Sequence, residues 1–314
     1  MTITTGTFLS YSAIGNREDL SNFIYNISPT ANPFQAAVGT GPKPKATLHE
    51  WQTDALATPQ ANAQLEGDDI ASFTAVTATA RLFNRTQISR QTTIISGTQD
   101  TGVDKAGRKS EMLYQLMKMG KQLRNDIEFV LTNNQTPTTG DSTTAQLLRP
   151  LCSWYTTNDS RGAGGADGST TAGATDGTQR ALTESLLKTV LQNCWTEGGE
   201  PSMLLCGAFN KGVISGFTGN NTRTQDTSDG VLHASIDVYD GDFSRVKVVP
   251  SRISRARDLH VLDTSMWAVA WLRKPQTIDL AKTGDAEKGA ILAEYTLVAR
   301  NQKSSGIVAD LTTS

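Results

Sequence analysis

The sequence predicts an α+β fold, and three observations carry that prediction. Between Asp104 and Asn133, the apolar residues Leu113, Leu116, Leu123, Ile127 and Val130, with Gly120, recur at steps of three and four. They form one stripe on a long amphipathic helix. Before it, Val76, Ala78, Ala80 and Leu82 alternate with Thr77, Thr79, Arg81 and Phe83, a period of two that marks a strand. The elements also come in blocks: an arm, a hairpin, a helix, a mixed block and terminal strands. A doubly wound nucleotide fold would instead alternate strand and helix throughout.

Residues 1–40 read as an arm, with Phe8, Tyr11, Phe23, Ile24 and Tyr25 scattered along it and turn formers between Asn26 and Pro33. A short helix from Arg17 to Asn26 fits this stretch. Gly39, Gly41, Pro42 and Pro44 predict a hinge-like link, since proline fixes φ and glycine permits sharp turns. From Lys45 to Ser96 the pattern is of strands. Thr47 to Leu56 around Trp51 and the alternating run at Val76 are joined by a polar loop, Pro59 to Asp69, acidic at its end. The result is a long hairpin, which is marginal in water without a partner surface.

The helix at 104–133 would run roughly 40 Å, long for a single domain. Lys109, Lys118, Lys121 and Arg124 lie largely away from its apolar stripe. Thr156 to Gln179 is dominated by Gly, Thr, Ser, Asp and Ala, and reads as a mobile surface loop with nothing to anchor a core. A second amphipathic helix is predicted at Leu182–Trp195, with Leu186, Leu187, Val190 and Leu191 inward. Met203–Cys206 reads as a buried strand and Phe209–Phe217 as a helix. Val246–Pro250, Leu259–Leu262, Trp267–Leu272, Ile291–Ala299 and Ile307–Leu311 read as further strands.

Composition bounds the function. The chain has 314 residues, enough for two cored domains, yet only 37% hydrophobic and 6% aromatic residues. That balance points to surface covered only on association. With 29 basic and 31 acidic side chains the net charge is −2, so stoichiometric phosphate binding is not expected. Cys152, Cys194 and Cys206 have no zinc-knuckle or redox spacing and read as reduced, partly buried thiols made in a cytosol. The opening MTITTGTFLSYSAIG is no secretion signal, and the longest apolar stretch, Met266 to Leu272, is too short for a bilayer. A soluble chain with no membrane partner is expected.

No nucleotide-binding, zinc-protease or nucleophile-elbow motif appears. Gly216–Asn220 has glycines but no phosphate-binding lysine, and Gly164–Gly168 lacks the repeat of a calcium-binding Gly-Asp array. Neither catalysis nor a cofactor nor a metal is predicted. The histidines His49, His233 and His260 are far apart; such residues are more often ordinary surface or satisfied partners than a catalytic pair. Glu66, Asp68 and Asp69 are a solvated loop, a cation site or an acidic patch that meets a basic one across an interface. Arg108 and Lys109, with the lysines of the helix, are a wet face, a nucleic-acid contact or the surface that meets acidic loops of neighbours.

Several of these residues fall into a familiar order. Gly107–Arg108, Glu111, Tyr114–Gln115, Lys118, Leu123 and Asp126–Ile127–Glu128 resemble the spine-helix signature of a family of tailed-bacteriophage major head proteins. Glu50–Asp54, Glu66–Gly67, Thr86–Gln87–Ile88 and Ser96–Gly97–Thr98 resemble that family's extended loop. Leu272–Arg273, Leu280–Asp285, Lys288 and Glu294–Leu297 resemble its carboxyl-terminal signature. Lys109–Ser110 departs from the pattern, where an acidic residue would follow a small one; a local salt bridge is all that this touches.

The resemblance covers nearly the whole chain and implies the Hong Kong 97-type capsid fold. It implies an N-terminal arm at 1–40, an extended hairpin loop at 41–97 and a peripheral domain at 98–179 with its spine at 104–133. An axial domain would follow at about 180–265, and 266–314 would return to the peripheral one. It further implies a virion shell of pentamers and hexamers, assembled in a bacterial cytoplasm with portal and scaffolding proteins and a decoration protein. The shell would enclose double-stranded DNA without sequence-specific contact. Glu66, Asp68 and Asp69 are then expected to meet Arg108 and Lys109 of an adjacent subunit. Two other classes compete. A hydrolase would rest on one of the histidines, and a head-decoration or carbohydrate-binding module would need clustered aromatics, whereas Trp51, Trp154, Trp195, Trp267 and Trp271 are dispersed.

Overall fold

The computed structural model describes residues 31–67, 69, 73–217 and 237–314. The helix expected at Arg17–Asn26, the scattered Phe8, Tyr11, Phe23, Ile24 and Tyr25, Asp68 and His233 lie outside the described residues. In chain order the elements are α1 (Pro33–Ala37), β1 (Gly39–Thr40), β2 (Leu48–Thr53), β3 (Ala80–Arg85), β4 (Gln87–Ser96), α2 (Glu111–Thr132) and α3 (Leu151–Trp154). There follow β5 (Asp159–Ser160), α4 (Glu184–Thr196), β6 (Met203–Cys206), α5 (Ala208–Ser215), β7 (Val238–Asp240), β8 (Arg245–Pro250) and β9 (Leu259–Leu262). The chain closes with β10 (Trp267–Asp279), β11 (Ala286–Ala299) and β12 (Gly306–Val308).

Two sheets organise the body. The first has four strands in the order β1-β10-β11-β4, and α2 packs on its β4–β11 face. Met119, Leu123, Ile127 and Leu131 of α2 meet Ile291, Ala293, Tyr295 and Leu297 of β11 in one buried core. Each such side chain contributes about 1.5–3 kcal/mol when fully buried. The second sheet has six strands, β5-β12-β9-β6-β8-β7. Leu187, Val190, Leu191 and Cys194 of α4 share its core with Leu204, Val248, Val261 and Val308. Its strands come mainly from 203–262, with β5 and β12 added from outside that span.

The spine helix begins later than its apolar period suggests, at Glu111 rather than Asp104, and its 22 residues span about 33 Å. Gly107 at φ +74° turns the chain just before it, a conformation that glycine adopts without strain. Ser110 then caps the helix by accepting from Leu113 N at 3.2 Å. The buried line runs through Met119, Leu123, Ile127 and Leu131, so the expected stripe is out of phase at its start, where Leu113 is exposed.

Other expectations are corrected too. The link after the arm is no hinge: β1 pairs in parallel with β10, and Gly41 N donates to Val269 O at 3.0 Å. A Cβ on Gly41 would lie 3.3 Å from the Cβ atoms of Ala268 and Ala270, so glycine serves close approach there. The hairpin ladder stops at Thr53↔Ala80, short of the alternating Val76–Thr79. Conversely, β10 and β11 outrun their apolar cores. Their pairing continues past bulges between Trp271 and Gln276, where Pro275 cannot donate to the ladder.

The segment 156–179 lies at the surface, as read, with more than half of its residues exposed, and polar groups tie it to the body. The Asp310 carboxylate, on a backbone at φ 59°, accepts from Gly162 N at 3.0 Å, Gly177 N at 2.9 Å and Arg257 Nη2 at 2.6 Å. Asp167 accepts from Arg161 Nε at 2.6 Å. Apolar content is therefore no guide to order in this loop.

Candidate functional site

The hairpin β2–β3 joins a fixed base to a free loop. Beyond the last paired residues, Thr53 and Ala80, every described residue of 54–79 is exposed. Leu56 is 100% exposed, Val76 96%, Phe73 87% and Leu65 81%. Single exposed apolar side chains are ordinary on a protein surface, but four on one excursion, uncovered by any described residue, mark it as the candidate interaction surface.

The base is held firmly. Trp51 Nε1 donates to Ala299 O at 2.8 Å, and its ring lies 5.7 Å from that of Trp154. The Asn84 amide nitrogen donates to Leu297 O at 2.7 Å and Arg149 O at 3.1 Å, while its oxygen accepts from Arg149 N at 2.8 Å. Thr86 Oγ1 donates to Glu294 at 3.0 Å, and Arg273 Nε donates to the other oxygen of that carboxylate at 2.8 Å.

The start of α2 supplies a second surface. The Asp100 carboxylate accepts from Glu111 N at 2.7 Å, Met112 N at 3.1 Å and Ser110 Oγ at 3.1 Å. The Met112 amide leads these contacts in holding the Asp100 pKa below its ordinary value. The Glu111 pKa is also lowered, first by the Gln115 amide and then by Arg108, which is ion-paired to it. Farther along, Leu113, Met117 and Phe129 are exposed, as are Lys118, Lys121 and Arg124. The outer face of the spine is thus both apolar and basic.

The residues named from sequence are not joined within one chain. Glu66 and Asp69 are exposed on the loop, and Lys109 is exposed before α2. Arg108 is half-buried, engaged with Glu111, and its guanidinium lies 5.5 Å from the Tyr114 ring centroid. Sequence reasoning missed Asn84, and it singled out Glu294 and Glu128 only within the family signatures, without the clamping role they have at the base and the arm.

Residues 3–312 match the family model described as SU10 major capsid protein. The chain belongs to that capsid family. It is 26% identical over 342 residues to the major capsid protein of Escherichia phage Phieco32, covering 96% of each. Its fold resembles a subunit of the cyanophage A-1(L) capsid asymmetric unit, with TM-score 0.63 at 13% identity over 98% of this chain and 99% of that one. It also resembles a chain of the phage G capsid, which holds major capsid and decoration proteins, with TM-score 0.52 at 11% identity over 99% and 100%. The fold is therefore of the Hong Kong 97 type, as the resemblance implied, and the protein is a structural unit of a tailed-phage icosahedral head.

Among the described residues, the candidate catalytic groups are not brought together, and most of them are buried. His260 is fully buried against Tyr155, with ring centroids 5.8 Å apart, and burial pulls its pKa down to about 3. His49 lies 5.7 Å from the Trp51 ring, its pKa also lowered by burial. Burial pushes Cys152 and Cys194 up to about 12 and Cys206 to about 11, so all three are unreactive thiols. They are fully buried rather than partly so.

Proposed function

We propose that the subunit closes its shell by laying the exposed loop 54–79 over the outer face of α2 of the next subunit. The observation that carries this reading is the fully exposed apolar loop on a clamped base. Leu56, Leu65, Phe73 and Val76 would find cover on Leu113, Met117 and Phe129, and the same surfaces repeat under rotation. The contacts build pentamers and hexamers, with 1–40 as arm, 41–97 as extended loop, 98–179 and 266–314 as peripheral domain, and 180–265 as the bulk of the axial one.

Lys109 is the primary basic partner for Glu66, Asp68 and Asp69 of a neighbour. Arg108 joins it only by sharing its charge with Glu111. The shell encloses double-stranded DNA without sequence-specific contact, consistent with a net charge of −2. It assembles in the host cytoplasm with portal and scaffolding proteins. A decoration protein is a further candidate partner, in line with the phage G assembly, which holds such proteins. The role is structural, with no catalytic step and no cofactor; the buried His260 and cysteines favour this over a hydrolase.

Negative-stain microscopy of the purified chain tests the reading, with shells the expected product. Reversing Glu66, Asp68 and Asp69 to lysine should block assembly, and reversing Arg108 and Lys109 to glutamate in the same chain should restore it. Unchanged shells from the first variant would discard the pairing. Deleting residues 1–30 should leave a folded subunit that does not assemble, and normal shells from it would remove the arm from the mechanism.

A further inference from the structure

We propose that the groove beside the hairpin base is a socket for a carboxylate side chain of a second copy of this chain, received by Arg149. The inference rests on the shell reading and names a contact within it. The groove encloses about 450 Å³ between the hairpin, at Thr53, Thr77 and Leu82, and the body, at Trp154, Gln302 and Arg149.

Arg149 is only 8% exposed, yet among the described residues no carboxylate is ion-paired to it. The other arginines of the interior are different. Arg161 holds Asp159 and Asp167, Arg255 holds Asp176 and Asp258, and Arg257 holds Asp176 and Asp310. Arg149 instead gives Nε and Nη2 to the Ser153 carbonyl, at 3.1 and 2.5 Å, with Nη2 also 3.3 Å from Gly168 O. Its guanidinium carbon stands 4.2 Å from the Trp154 ring centroid. Carbonyls and a ring face orient the guanidinium but do not neutralise it, and a buried charge without a counter-charge is costly. Burial accordingly pulls its pKa down to about 10.

Nη1 gives no bond among the described residues, and it is the end of the fork that a carboxylate oxygen can meet. The charges around the groove leave that place open. Asp54, on its rim, accepts from Ala55 N at 2.9 Å, and Lys303, on the opposite rim, is bound to Glu197 at 2.9 Å. The occupant is a sister copy because one wall of the groove is the hairpin that the shell reading puts at a subunit contact. A carboxylate delivered there arrives with the surface that seals the groove from water.

The test uses full-length chain assembled into shells. Arg149→Gln should keep the wild-type circular dichroism and unfolding midpoint while raising the concentration needed for shell formation by about tenfold or more. Arg149→Lys should recover part of that loss, and Asp54→Asn should change nothing. A cryo-electron microscopy map of wild-type shells should place an Asp or Glu of another copy within about 4 Å of the guanidinium. Assembly of Arg149→Gln at the wild-type concentration would overturn the socket while leaving the shell reading intact. So would a map with Asp54 of the same copy, or a free anion such as phosphate, against Arg149. Should Arg149→Gln fail to fold, the map alone decides. Wild-type chain that never forms shells would bring down the shell reading, and the socket with it.

Discussion

Replacing Asn84 by alanine tests whether the hairpin base is fixed by one amide. Asn84 is 2% exposed and makes four hydrogen bonds: to Arg149 O, to Leu297 O, from Arg149 N and from Arg85 N. Each is worth about 0.5–1.5 kcal/mol net, and more where its partner is left buried without a substitute. Water can reach Arg85 N, which is only part-buried, so the expected loss is about 3 kcal/mol rather than the upper limit. Asn84→Asp keeps both acceptor bonds but puts a carboxylate oxygen against two carbonyls, and should cost at least as much. Urea denaturation followed by tryptophan fluorescence reads the change, since Trp51 and Trp154 sit at this base. Limited proteolysis should then cut within β3 as well as in the loop. An alanine variant within about 0.5 kcal/mol of wild type, with unaltered cleavage, would refute the clamp.

Two further perturbations address the arm and the interior. The Glu128 carboxylate, fully buried, accepts from Phe34 N at 2.7 Å and Gln35 N at 2.9 Å, tying the start of α1 to the spine. Glu128→Ala should cost about 2 kcal/mol, since relief of a desolvated carboxylate offsets part of the loss, and should speed amide exchange at Phe34 and Gln35; unchanged exchange would count against the tie. Asp258 has its pKa raised to about 6, first by burial, with Arg255 and Arg161 opposing and Asp176 and Asp310 assisting. The folded state then binds a proton more tightly than the unfolded chain. This residue's contribution is full below about pH 4 and is lost as pH rises through about 6. Asp258→Asn should flatten the stability profile between those values by up to about 1.4 kcal/mol per pH unit, and an unchanged slope would assign the window to another group.

The parts of the fold legible in the sequence are those where burial imposes a period. Met203–Cys206 and Leu259–Leu262 are strands as read, because both faces of each are covered and the apolar run equals the strand. The spine was legible as a helix but not in its limits. Asp104–Ser110 continues no apolar stripe, and the cap that ends it depends on Asp100, ten residues away from the Ser110 hydroxyl that it accepts. The segment 156–179 was legible as a surface loop but not in its anchoring, which comes from Asp310, far along the chain, and not from its own composition. The same holds for the candidate site. The acidic loop and the basic helix were visible as charge patterns, whereas the Asn84 clamp and the unpaired Arg149 follow only from tertiary proximity.

If the loop docks on a neighbour as proposed, the division between a fixed base and a free loop sets how strongly two subunits hold each other. Complete burial of Leu56, Leu65, Phe73 and Val76 would return roughly 6–12 kcal/mol, at about 1.5–3 kcal/mol each. Association costs about 4–15 kcal/mol in lost rigid-body freedom, before any loop is ordered. One loop on one neighbour is therefore close to break-even, and an isolated dimer through this contact is weak. Each subunit of a closed ring both gives its loop and receives another. On the proposed contact a ring of n subunits makes n contacts against n − 1 associations, so closure adds one contact with no further rigid-body cost. The same modest apolar surface that leaves a pair marginal makes a closed ring stable, and premature two-body aggregation is suppressed without any added repulsive device. A more hydrophobic loop would tighten the pair first and lose that selectivity, which fits a loop 54–79 rich in Ala and Thr with only a few large apolar side chains.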